Sequence, residues 1–192
     1  MPINWKGIEL KFLSRFPKGS HIAGVYAIII VMIYSWTIIW FFWKLPSWLH
    51  FMQIPEILAV LSVSMVTDFL ESVIVLFLTI LLAMVLPKSW FSDVFIIRGT
   101  SLVLLTLGYL MFFAFQFPEE SYPKQLILLS PLFFIVFFFL VYLSTKVSFI
   151  GKVIESLAGQ AVIFLYIYIP ISILSVVIWL VLFIPIHFIS LP

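Results

Sequence analysis

The stretch IPEILAVLSVSMVTDFLESVIVLFLTILLAMVL, residues 54–86, carries only three charged side chains, Glu56, Asp68 and Glu71, in 33 residues. As one helix it would reach about 50 Å, whereas a hydrocarbon core about 30 Å thick requires about 20 residues. How this run is read decides how often the chain crosses a membrane. Counting back from Leu86, which Pro87-Lys88 terminates, sets a span over 67–86. The preceding 54–66 would then lie along the interface, form a re-entrant turn, or extend the second span. Breaking the run into two spans is the remaining alternative.

Working outward, four other runs are long enough to cross. They are 22–42, closed by Trp43-Lys44-Leu45-Pro46; 99–117, ended by Pro118-Glu119-Glu120; 125–143, followed by Lys146; and 161–184, with Pro185 near its end. Between the last two, 147–157 reads as a short interfacial helix with Lys152 and Glu155 toward water. The expected fold is all-α: a polytopic transmembrane bundle of five spans plus short interfacial helices. It fills 1–192 as one domain, and 1–21 forms a basic cytoplasmic segment. That segment, with Lys6, Lys11, Arg15 and Lys18, precedes an apolar run too long for a signal peptide and without a small-residue cleavage site, so the first span reads as an uncleaved anchor.

Positive charge discriminates between five spans and six. With five and the N-terminus inside, Lys6, Lys11, Arg15, Lys18, Lys88, Arg98, Lys146 and Lys152 fall inside and only Lys44 and Lys124 outside, eight against two. With six spans the division is five against five. The positive-inside rule selects five, with the C-terminus outside. Glu9, Asp93 and Glu155 then fall inside; Glu56, Asp68, Glu71, Glu119 and Glu120 fall outside.

Composition agrees with a chain whose solvent is lipid. Hydrophobic residues make up 65% of the 192 and charged ones 9%, too few to cover a soluble domain. A net charge of +2 spread along the loops gives no footprint for nucleic acid. The absence of cysteine removes disulfides, thiolate metal sites and cysteine nucleophiles together. Hydrolase, zinc-protease and nucleotide-binding signatures are missing, so the sequence nominates no catalytic residue, cofactor or metal ligand set.

Asp68 and Glu71 stand out. They lie three apart, on one helical face with Ser64 and Ser72, in otherwise apolar sequence. Intramembrane carboxylates are costly and usually face the bundle interior with a partner. Two readings follow: a contact for an ion or for a basic group of a substrate, or an interfacial pair satisfied by water, by Lys44 or Lys124, or by free helix amides. Trp36, Trp40 and Trp43 form a stripe that an aromatic belt explains, with Trp40 as a candidate stacking surface beside the acids. Of the histidines, His21 falls at the inner boundary, and His50 and His187 at the outer, none within a span. Ser20, Gly24 and Ala27 make a small-residue face for a neighbouring span or a partner subunit. Pro170 in the fifth span frees the carbonyl of Tyr166 and implies a kink.

The leading functional expectation is a non-catalytic accessory or assembly subunit of a larger membrane complex. It rests on small size, short loops and few buried polar groups. Its contacts would be the Ser20-Gly24-Ala27 face and a basic inner surface of Lys88, Arg98 and Lys152. The second expectation is a small transporter or substrate-binding membrane component with an outward-facing acidic site at Asp68 and Glu71. A lipid-modifying enzyme comes third. All three place the chain in a lipid bilayer, the cytoplasmic membrane.

Overall fold

The computed structural model describes residues 16–117 and 124–189, with the side chains of 124–127, 129 and 182–189 left out. Lys6, Glu9, Lys11, Arg15, Glu119 and Glu120 lie outside the described residues, and so do the side chains of Lys124 and His187. Every long element is a helix: α1 Gly19–Trp48, α2 Ile54–Val85, α3 Phe95–Gln116, α4 Lys124–Lys146 and α5 Ser148–Ile189, with one 3-10 turn at Ser92–Val94 before α3. Among the described residues four helices are long and apolar enough to cross a membrane: α1, α2, α3 with its leading turn, and α5. The described apolar part of α4, Ser130–Lys146, is a shorter fifth. The chain is a small multi-pass membrane protein.

The 54–86 run is a single 32-residue helix with neither an interfacial break nor a re-entrant turn. Its start is well capped: Gln53 N–H donates to Glu56 Oε2 at 2.8 Å in a reciprocal capping box, with Pro55 in the first turn. Nothing between Pro55 and Pro87 interrupts a helix, and the backbone donors are satisfied only if it continues. Asp68 therefore lies 14 residues into α2, not beside its N-terminus as a 67–86 span would place it. The separate interfacial helix expected over 147–157 is likewise absent; those residues open the 42-residue α5. α1 also runs through Pro46 to Trp48, and α3 begins four residues before Gly99, so Arg98 belongs to the helix.

α1 is the central helix and packs on α2, α3 and α5; α4 leans on α3 and α5 from outside. The core forms around Val25, Ile29, Ile30 and Tyr34 of α1, with Phe91, Phe95 and Ala158 against them. The small-residue face is used inside the chain. Gly24 and Ala27 are buried, and a Cβ on Gly24 would meet Ile96 and Ala158 at 3.4–3.5 Å, so α1 touches α3 and α5 there at close range. Ser20 is exposed.

Two helices show how the interior is chosen. On α5, Gly151, Ile154, Ala158, Ala161, Leu165, Tyr168, Ser172 and Ser175 recur alternately three and four apart and turn inward. That is a heptad seam, with Gly151, Ala158, Ala161, Ser172 and Ser175 as the small residues that let backbones approach. On α2 the buried face reads Ser62, Met65, Asp68, Ser72, Thr79 and Ala83, while Leu70, Ile74, Phe77, Leu78 and Leu81 point out. On α2 the inward side is thus the polar and small one and the outward side the apolar one, because lipid rewards no burial of leucine.

Candidate functional site

Asp68 is 4% exposed and faces α1. Thr37 Oγ1 donates to Asp68 Oδ1 at 2.8 Å. Asp68 Oδ2 is buried and has no hydrogen-bond partner among the described residues. A charged residue at mid-span costs about 2.5–3.5 kcal/mol or more. One hydrogen bond to a charged group returns about 1.5–3 kcal/mol, and an unpartnered buried oxygen adds its own penalty. The single hydroxyl proton of Thr37 cannot serve both oxygens. The second oxygen is thus left without a hydrogen-bond donor among the described residues.

The residues around it form layers along α1. Deeper in the bundle, Tyr34 donates to Ser172 Oγ, and Ser172 donates to the carbonyl of Tyr168 at 2.7 Å. The Tyr34 and Tyr168 rings meet with centroids 4.7 Å apart. Below that, Tyr26 reaches Ser72 Oγ at 3.4 Å, and Ser72 donates to Phe69 O. These contacts tie α1 to α2 and α5 on either side of Asp68 along α2.

Two cavities have Thr37 in their walls. One, about 330 Å3, is lined by Trp36, Trp40, Trp48, Lys44 and Ser64 as well as Thr37. The other, about 370 Å3, is lined by Trp36, Thr37, Glu71, Val75, Leu107 and Met111, with further aliphatic side chains. Both volumes fall in the range of small-molecule sites. Each is charged with a different sign, the first by Lys44 and the second by Glu71. Thr37 and Trp36 belong to both walls, so Thr37 connects the buried carboxylate to either space.

The acids expected to act as a pair therefore divide their positions. Asp68 is interior, and Glu71 is exposed at the wall of the larger cavity. Ser72 is buried on the Asp68 face, and Ser64 donates to Val60 O at 3.0 Å and borders the smaller cavity. Trp40 stands there too, edge-on to Trp36 at 5.7 Å and stacked on Trp43 at 5.6 Å. His50 closes the end of α1, its Nδ1 donating to Pro46 O at 2.8 Å. Among the described residues no three His, Asp or Glu side chains stand together as metal ligands. α5 continues through Pro170, which lies on its exposed side.

Sequence reading passed over Thr37, Tyr34 and Ser172. A signal for them exists: Tyr34 and Thr37 stand three apart, so on one face, in a largely apolar span, and Ser172 lies at a heptad interval from Ala158 and Leu165. Arg98, read as a loop residue, is a second buried charge. It is 6% exposed near the opposite end of the bundle.

No known family's model matches the sequence, and neither a curated protein nor a solved structure matches it significantly.

Proposed function

We propose that the chain is a small transport-type component of the cytoplasmic membrane that binds an organic cation at the acidic site midway along α2. The carrying observation is the Asp68 carboxylate, held on one oxygen by Thr37 and unpartnered on the other, one hydroxyl away from a cavity with Glu71 in its wall. An amine with an apolar body suits that cavity. Its charge meets Glu71 and the Trp36 ring, its body meets Leu107 and Met111, and Asp68 supplies the field behind Thr37.

The accessory-subunit reading loses one of its supports. Among the described residues ten polar or charged side chains are buried, including Asp68, Ser72, Arg98, Ser172 and Ser175. The interior is not poor in polar groups, so small size and short loops are what remain in its favour.

The test is thermal unfolding of the purified full chain in mild detergent, titrated with sodium, tetraethylammonium and hexylammonium chlorides. An organic cation should raise the midpoint saturably; at a hundred times Kd, linkage gives about 2.7 kcal/mol of added stability. Asp68→Asn and Glu71→Gln should each weaken the apparent affinity about tenfold, roughly 1.4 kcal/mol, with the protein still folded. Equal response of wild type and both variants would overturn the reading and put the accessory role first.

A further inference from the structure

Arg98 sits in the first turns of α3, buried at the end of the bundle where Lys88, Lys146 and Lys152 are exposed. Its Nε and Nη2 both donate to one acceptor, Thr145 Oγ1, at 3.3 and 2.9 Å. Thr145 has already given its hydroxyl proton to Tyr142 O at 2.9 Å, so it acts on the guanidinium purely as an acceptor. Arg98 Nη1 is buried with no partner. The guanidinium stands over two rings: the Trp90 centroid lies 5.4 Å and the Tyr142 centroid 5.6 Å from Cζ.

This arrangement fixes the orientation of the guanidinium and leaves its charge without an acidic partner among the described residues. A guanidinium has five N–H donors in a rigid fork, and one hydroxyl oxygen serves two of them. Ring quadrupoles attract a cation without neutralising it. The described acids at this end, Asp93 and Glu155, are both exposed, and neither pairs with Arg98. Lys146 Nζ, 5.5 Å from the Tyr142 ring, adds positive charge beside it. The positive end of the α3 dipole does the same.

Among the described residues no acid pairs with the guanidinium, and the unused side of its fork suits an anion that accepts parallel hydrogen bonds at this end of the bundle. We propose that Arg98 binds the phosphate of an anionic phospholipid, clamped between Trp90 and Tyr142, with its acyl chains along the apolar surface beside it. That surface is present: Phe138 stacks on Trp90 at 6.2 Å, and Phe149, Ile150 and Val153 of α5 are exposed next to Lys152. Tyr142 is 37% exposed with its ring 5.6 Å from Cζ, so the phosphate approaches the guanidinium past the edge of this ring. A lipid is preferred over a free phosphate compound because the exposed neighbours are apolar and face the bilayer. Arginine, unlike lysine, offers phosphate two parallel bonds, so the fork matters as well as the charge.

The test uses the full-length protein purified in mild detergent, with native mass spectrometry of retained lipid and unfolding midpoints on adding phosphatidylglycerol, phosphatidylcholine or inorganic phosphate. Wild type is expected to retain phosphatidylglycerol at least tenfold over phosphatidylcholine. Arg98→Gln should abolish the preference, Arg98→Lys should keep only part of it, and a Lys88→Ala, Lys152→Ala double variant should retain it. Absence of any lipid preference in wild type overturns the proposal whether or not Arg98→Gln folds. Stabilisation by inorganic phosphate without lipid preference overturns it in favour of a soluble phosphate compound, and loss of the preference only in the lysine double variant reduces it to surface charge.

Discussion

Thr37 is the residue on which the chemistry of Asp68 turns, because it supplies the one hydrogen bond that the carboxylate receives from the described residues. Thr37→Val keeps the shape and removes the donor, leaving both oxygens without a partner. The expected cost is about 1.5–3 kcal/mol, the value of a hydrogen bond to a charged group, read as a fall in the unfolding midpoint. Thr37→Ser should restore most of it. In an Asp68→Asn background the cost of Thr37→Val should shrink, and a double-mutant cycle measures the difference. Equal cost in both backgrounds would mean that Thr37 acts by packing alone. Asp68 itself was legible as unusual from its type and setting. The direction it faces was not, because the same spacing puts a side chain inward or outward depending on which face its helix presents.

At the scale of elements, the close approach of α1, α3 and α5 depends on glycine and alanine. A Cβ on Gly24 finds neighbours at ordinary contact distance, so Gly24→Ala should be nearly neutral. Gly24→Leu adds three more carbons where Ile96 and Ala158 already stand, and overpacking of this kind costs about 1–3 kcal/mol. Its expected effect is destabilisation of the bundle itself, seen as a lower unfolding midpoint of the isolated chain. An unchanged midpoint would return the face to the role of an external contact. Helix positions were largely readable in the sequence, since apolar length and proline punctuation are local. Helix ends were not. Glu56 caps α2 well before the span that bilayer thickness requires, and 147–157 joins α5 because Gly151 and Ala158 pack inward. The seam of α5 was present in the sequence as a three-four alternation of small residues, masked by the general hydrophobicity around it.

For the whole molecule, the packing agrees with alternation of direction along the chain. α1 meets α2 with Tyr34 near Met65 and Tyr26 near Ser72, hence antiparallel, and meets α5 with Gly24 near Ala158 and Tyr34 near Ser172, hence parallel. Lys18, Lys88, Arg98, Lys146 and Lys152 therefore gather at one end of the bundle, Lys44 and Glu56 lie toward the other, and Glu71 stands near the middle of α2. The expected topology places residue 1 inside and residue 192 outside. A reporter active only on the outer face should respond at residue 192 and stay silent at residue 1; both termini on one side would require an even number of crossings.

What the sequence determined alone is the class of solvent, the all-helical fold and the orientation expected from positive charge. Each follows from summed properties: transfer free energy over about 20 residues, obligatory backbone hydrogen bonding in lipid, and the count of lysines and arginines between runs. What only the tertiary structure decided is which side of each helix is inside. In water that side is the apolar one and can be read from periodicity. In lipid nearly every side is apolar, so the inward face is selected by close packing and by the few polar groups that must find partners. That selection brings Thr37 to Asp68, sets Arg98 between Trp90 and Tyr142, and leaves one polar atom of each charged group unpartnered.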